Sequence, residues 1–393
     1  MNIVDKLYGG FALRFLKKKV VYNYHKYCRN KIGHALLYFK TDVLFFPQLA
    51  EEYCHSNNWE VLEKIKILNK LGFWVDIIDR RVNIDKLEIE DKYDIFIGIG
   101  AGNSGRYYPN IAEKLNKAIK IFYACGPEPD FSDRITKERY EYFYQRNPNK
   151  KVKLRRIIDQ VNIKKSMELT DAIFCIGNEF GINSYQKFQK DIFRIYPSTS
   201  PRITVDVQQL FNRSQKKFLY FGGNGNIVKG LDLTIEAFSK LPDLELYICA
   251  PAKEYDFNAV YKETLSKSKN IHFLGFIEVG AMIFNKVTSE CGYVIFPSAS
   301  EGTPDSVATC MRKGLVPIVT YEAGIDIDDF GHLIKDIQIE ALKSQICLIS
   351  KEPKEDFLER SVKSYLNSFN YTQTGFSESF EKALIKTLAK KKI

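Results

Sequence analysis

Short apolar runs alternate along the chain with longer stretches of helical spacing, and the alternation occurs in two series. In the first series, Ala35–Phe39, Trp74–Ile78, Tyr93–Ile99, Lys120–Ala124 and Ala172–Ile176 predict strands. Residues 40–58 read as a loop. Val61, Leu62, Ile65 and Leu68 then predict a helix over 59–71, which Gly72 stops. Glycines recur just after the apolar runs, as in Gly100-Ala-Gly102-Asn103-Ser104-Gly105, Gly126 and Gly177. Strands separated by helical stretches and ended by glycine predict a parallel, doubly wound sheet.

Tyr196-Pro-Ser-Thr-Ser-Pro201 reads as an interdomain linker, after which the alternation restarts. Strands are predicted at 217–221, 244–249, 271–274, 293–296 and 315–319, and helices at 231–241, 257–268 and 279–289. Phe380, Leu384 and Leu388 share one stripe of a helix predicted over 377–393. The fold class is therefore α/β with two Rossmann-like domains, and a length of 393 residues allows two cores. The boundaries fall at 1–31 for a basic leader, 32–200 and 201–375 for the two domains, and 376–393 for a terminal helix.

Charge changes the picture at one place. The formal net charge is +10, and residues 1–31 hold eight Lys and Arg against the single acid Asp5. Leu7, Phe11, Phe15, Leu16, Val20 and Tyr24 are interleaved with them. Two readings stand: a helical leader packed on the first domain with a solvated basic face, or an amphipathic segment resting on an anionic membrane surface. Nucleic-acid binding is not expected. No apolar run is long enough to span a bilayer, and no signal peptide opens the chain. The eight cysteines are scattered without a C-x-x-C pair, so free, mostly buried thiols and a cytoplasmic setting are expected, with peripheral contact at the inner membrane face under the second reading.

Candidate chemistry gathers at two loops of the second series. Phe218-Leu-Tyr-Phe-Gly222-Gly223-Asn224-Gly225-Asn226-Ile-Val-Lys229-Gly230 is a strand, a flexible Gly/Asn loop and a lysine at a helix start, a combination suited to a nucleoside diphosphate. Phe296-Pro-Ser-Ala-Ser-Glu301-Gly302-Thr303-Pro304-Asp305-Ser306 follows an apolar strand and leads into a helix that Gly314 ends. There Thr303 reads as the N-cap and Pro304 as the first helical residue. Open amides at that helix start favour phosphate or sugar oxygens.

The second stretch resembles the donor-binding half of retaining glycosyltransferases of the GT-B fold, of the family 4 type (glycosyl transferases group 1). The likeness rests on Pro297-Ser298, on Glu301-Gly302, and on Gly314-Leu-Val-Pro317-Ile-Val319, and it covers about residues 217–335. It implies two Rossmann-like domains facing a cleft and a terminal helix crossing back to the first. It also implies transfer of a sugar, hexosyl in type, from a nucleotide-diphosphate sugar to a glycan or lipid-linked acceptor in surface polysaccharide or glycoconjugate synthesis. Lys229 would stabilise the departing diphosphate, where a fixed cation helps the transition state most. Glu301 would hold sugar hydroxyls, and Gly222, Gly223, Asn224, Gly302, Thr303, Pro304 and Ser306 would line the donor.

Two positions depart from the family. Its second glutamate falls here on Thr309, which weakens or relocates ribose recognition, and its arginine six positions before the lysine falls on Gly223. These gaps leave room for an alternative: a non-catalytic GT-B partner or glycan-binding subunit of a glycosyltransferase complex. Acceptor-side candidates in the first domain are His55, Asn103, Glu128 and Asp130, with turn acids the plainer reading of the last two. Asp326 and Asp328 read as loop acids, so no metal and no cofactor beyond the donor is expected.

Overall fold

The computed structural model describes residues 20–46, 56–100, 105–158, 161–201, 203 and 207–390. Two compact units emerge. The first comprises the chain up to Asp130, Ile158–Pro201 and Tyr371 onward; the second comprises Phe131–Ile157 and Arg202–Asn370. The sequence reading kept 32–200 together, but 131–157 fall with the second unit.

The first unit holds seven strands: β1 (Val20–Tyr24), β2 (Gly33–Phe39), β3 (Phe73–Asp79), β4 (Ile95–Ile99), β5 (Ile119–Ala124), β6 (Ala172–Ile176) and β7 (Asp191–Ile195). Their order is β1-β3-β2-β4-β5-β6-β7, with every pairing parallel except β1 on β3. β4 and β6 are buried along their whole length, which is why they read as continuous apolar runs rather than alternating ones.

β1 corrects the helical-leader reading for its described part. Val20, Val21, Tyr22 and Tyr24 are β-branched or aromatic, and they suit a sheet edge better than a helix. The strand bulges between Val21 and Tyr24, where Asn23 has φ +54° and donates its amide to Asp76 Oδ1 at 2.6 Å. Residues 1–19, the larger part of the basic segment, lie outside the described residues. Among the described residues no helix is long and apolar enough to cross a membrane.

The division between the two units falls at Pro201, the end of the segment read as a linker. Ser198, Thr199 and Ser200 are buried. Ser198 donates its amide to Glu60 Oε1 at 2.9 Å, and Thr199 donates its hydroxyl to the Tyr371 carbonyl at 2.7 Å. The segment is thus built into the first unit.

The terminal helix, Gln373–Lys390, lays Phe376, Phe380, Leu384 and Leu388 into the first core at four-residue intervals. Phe376 meets Trp59 edge-on, and Phe380 meets Phe174 likewise. Beneath them lies Lys64 of the Ser56–Lys70 helix, 2% exposed, its ammonium 4.4 Å from the Tyr123 ring centre and 4.7 Å from that of Phe376. Burial pushes its pKa down, and Glu60, 3.6 Å away, opposes that.

The second unit holds a six-stranded parallel sheet: β8 (Ser214–Phe221), β9 (Glu245–Cys249), β10 (Ile271–Phe273), β11 (Cys291–Phe296), β12 (Val316–Thr320) and β13 (His332–Ile334). Their order is β10-β9-β8-β11-β12-β13. The sheet therefore grows in one direction from β8 to β10 and in the other from β11 to β13. Where such an order reverses, neighbouring crossovers depart to opposite faces and leave a crevice at the carboxyl strand ends. Tyr293 pairs with Phe218 and Val294 with Leu219, so β8 and β11 end side by side at that crevice.

Candidate functional site

The loop after β8 is pinned by a buried acid. Glu254, 3% exposed, accepts the amides of Gly225 and Asn226. Gly225 (φ +98°) then lets the chain reverse, and Lys229 donates its amide to the Gly225 carbonyl at 2.9 Å. Gly230 starts the Leu231–Phe238 helix with φ +73°, and a Cβ there would lie 2.3 Å from the Pro297 carbonyl oxygen. That close approach holds the β8 and β11 loops together, and the Ala299 amide adds a 2.8 Å bond to the Val228 carbonyl.

The loop after β11 is held from the other side. Glu301 donates its amide to the Glu322 carbonyl at 3.1 Å, and the Thr303 hydroxyl donates to the Gly324 carbonyl at 3.0 Å. The helix that follows spans Asp305–Arg312 with Pro304 as its N-cap. This corrects the expectation for Thr303: its hydroxyl ties the loop to Gly324 instead of capping the helix. Pro304 itself makes no side-chain cap bond to that helix.

These two loops bring Lys229 and Glu301 together. Lys229 Nζ lies 3.0 Å from Glu301 Oε1, both side chains being 11% exposed. A third group joins them: Arg156 Nη2 reaches Glu301 Oε2 at 3.3 Å from a side chain that is 39% exposed. Burial alone would raise the Glu301 carboxyl, but the two cations outweigh it and hold its pKa below the ordinary value. Burial pushes the Lys229 ammonium down, with Glu301 countering and Arg156 adding to the shift. The carboxylate therefore stays charged near neutrality.

The remaining expected residues are dispersed around this pair or lie elsewhere. Gly222 donates its amide to the Cys249 carbonyl, while Gly223 and Asn224 are exposed, and a Cβ on Gly223 would meet nothing within 4 Å. Ser306 is half-buried in the first turn of its helix. Thr309 is buried, 3% exposed, within the Asp305–Arg312 helix. Glu128, in the first unit, is fully buried; it accepts the Asp130 amide and pairs with Lys187 at 3.2 Å. It thereby serves the loop before the Pro129–Arg146 helix and does not offer an open carboxylate to an acceptor, whereas Asp130 is exposed. His55 and Asn103 lie outside the described residues. Among the described residues no His/Cys/Asp/Glu group is arranged to hold a metal ion, Asp326 and Asp328 included.

Arg156 is the residue that sequence reasoning missed. The signal was present as a basic run, Lys150-Lys151-Val-Lys153-Leu-Arg155-Arg156, in a stretch with neither strand nor helix pattern. Nothing in the local spacing ties that run to Glu301.

The family Glycosyl transferases group 1 matches residues 203–356, which contain both Lys229 and Glu301. No curated protein matches by sequence. Among solved structures, Anabaena HepE in complex with UDP and glucose aligns over 91% of this chain and 100% of its own, at 11% identity and a TM-score of 0.56. Sucrose-phosphate synthase from Thermosynechococcus elongatus aligns over 91% and 99%, at 11% identity and a TM-score of 0.56. The pneumococcal O-GlcNAc transferase GtfA, with UDP and GlcNAc, aligns over 85% and 60%, at 15% identity and a TM-score of 0.51. At such identities the likeness is one of fold. Residues 203–356 form a group 1 glycosyl transferase domain, and the chain is a glycosyltransferase of the GT-B fold.

Proposed function

We propose that the chain transfers a sugar from a nucleotide-diphosphate sugar to a hydroxyl of a glycan or lipid-linked acceptor, with retention at the anomeric carbon and without a metal ion. The observation that carries this reading is the Lys229–Glu301 contact at the carboxyl ends of β8 and β11, where the strand order reverses. A cation and a hydrogen-bond acceptor within one contact distance can grip the two ends of a sugar diphosphate at once.

In the reaction, the bond between the sugar C1 and the terminal phosphate oxygen breaks, and its electron pair stays on that oxygen. The acceptor hydroxyl oxygen bonds to C1 from the same face, and its proton passes to the departing phosphate. Lys229 neutralises charge that grows as the bond breaks, which favours the transition state over the bound donor. The N-terminal end of the Asp305–Arg312 helix, where the helix dipole favours an anion, adds to that stabilisation. With that charge stabilisation supplied by side chain and backbone, a divalent ion is not required. Glu301 accepts hydrogen bonds from sugar hydroxyls and so fixes the ring relative to the bond that breaks. The setting is cytoplasmic, which the buried thiols of Cys175, Cys249, Cys291 and Cys310 suit, and the products belong to surface polysaccharide or glycoconjugate synthesis.

The test is turnover. The protein is incubated with a panel of nucleotide sugars, UDP-glucose and UDP-GlcNAc first, with and without glycan acceptors, and release of nucleoside diphosphate is followed. One donor should turn over, and Glu301→Ala should reduce that rate by roughly a hundredfold or more. Unchanged turnover in Glu301→Ala would remove that residue from the reaction.

A further inference from the structure

The conformation of Arg156 is out of proportion to the contact it makes. Its φ is +68°, in the left-handed region that a side chain disfavours. Its neighbour explains how it is held there. Arg155 forks onto Asp256 through Nη1 at 2.9 Å and Nη2 at 2.7 Å, and the Lys153 amide donates to the same carboxylate at 2.7 Å. That clamp fixes the segment on the second unit.

Arg156 then runs across Gly225, where a Cβ would come within 2.4 Å of its Cδ. Its guanidinium ends at Glu301 Oε2, on the oxygen that Lys229 does not face. A half-exposed ion pair at 3.3 Å stabilises a fold very little, less than a left-handed backbone costs. A strained backbone, a cleared glycine and a weak ion pair all aim one guanidinium at the carboxylate beside Lys229.

We propose that Arg156 is a second donor-binding cation, one that leaves Glu301 when a nucleotide sugar enters and takes the diphosphate together with Lys229. This rests on the reading of Lys229 and Glu301 as the donor site. Sugar hydroxyls replace the guanidinium on Oε2, and the freed planar fork engages two phosphate oxygens at once. The carboxylate holds both cations in place, so little reorganisation is needed when the donor arrives. As the C1–O bond breaks, its electron pair adds negative charge to the phosphate, and Arg156 then shares the load with Lys229. Gly223, with open space around it, supplies no cation on that side of the loop.

The experiment is calorimetric titration of the full chain with UDP, ADP and GDP, with uridine as a phosphate-free control. Wild type, Arg156→Ala, Arg156→Lys and Lys229→Ala are compared, with melting temperatures as a check on folding. Arg156→Gln replaces the alanine variant if that one melts early. Loss of a charge-assisted hydrogen bond should weaken diphosphate binding roughly ten- to a hundredfold in Arg156→Ala, with partial recovery in Arg156→Lys and no change for uridine. Diphosphate binding lost in Lys229→Ala but intact in Arg156→Ala overturns this proposal and leaves the donor site standing. Binding unaffected in both variants, or absent from the wild type for all three diphosphates, overturns both.

Discussion

Lys229 Nζ and Glu301 Oε1 stand 3.0 Å apart, each carried by the loop that follows one of two neighbouring parallel strands. Neither loop could position its side chain alone. Gly230 lies against the Pro297 carbonyl, and the Ala299 amide bonds the Val228 carbonyl, so the two loops set each other. Because the pair is nearly buried, its members should be energetically coupled. A double-mutant cycle with Lys229→Met and Glu301→Gln, read by urea unfolding, should give a coupling energy of about 1–3 kcal/mol. A coupling near zero would mean that the two groups are neighbours without interaction.

The same pair sets a pH dependence. The folded-state pKa of Glu301 lies below its ordinary value of 4.5 because Arg156 and Lys229 outweigh the effect of burial. A depressed carboxylate contributes stability that is fully present above its unfolded pKa and is lost as pH falls through the folded one. Wild type and Glu301→Gln should therefore show parallel stability above about pH 5 and converge below about pH 4 as the advantage of the charged pair disappears. Urea midpoints measured across that range check this, and a constant gap down to the lowest pH would contradict it.

Gly324 controls the glutamate loop from beneath. It has φ +76°, and a Cβ there would lie 1.5 Å from the Gly302 carbonyl oxygen. Gly324→Ala should destabilise the fold by at least about 2 kcal/mol, since strain and a backbone clash act together. It should also displace Glu301, so that any residual folded protein turns over poorly at temperatures where wild type and variant are both folded. Normal activity in that variant would show that Glu301 does not depend on this support.

Lys64 tests the placement of the terminal helix. The ammonium is buried under Phe376 and Phe380, and Glu60 is its charged neighbour. Lys64→Met leaves the Glu60 carboxylate buried with hydrogen bonds from Ser198 but no countercharge, and should cost about 3 kcal/mol. Adding Glu60→Gln should recover most of that loss. A single variant as stable as wild type in thermal melts would argue against a charged pair there.

The legible part of this chain was set by local chemistry. Buried parallel strands such as Ala172–Ile176 appear as unbroken apolar runs, and Lys229 and Glu301 each follow such a run with glycine beside them. Asp191–Ile195 was less visible because its edge position leaves charged and half-buried residues in the strand. The Pro129–Arg146 helix went unread because it is polar over much of its surface, with buried Arg139 and half-buried Arg146 finding partners far away in sequence. Arg156 was out of reach for the same reason. Its meaning depends on Gly225 and Glu301, and no spacing rule links a loop arginine to a carboxylate so distant along the chain.

The most direct measurement is a crystal structure of the protein with UDP-glucose or UDP-GlcNAc, whichever turns over. The account predicts the diphosphate within hydrogen-bond reach of Lys229 Nζ, at ~3 Å, with a sugar hydroxyl on the Glu301 carboxylate and the Lys229–Glu301 contact opened between them. A nucleotide sugar bound elsewhere, with Lys229 still closed on Glu301, would contradict it.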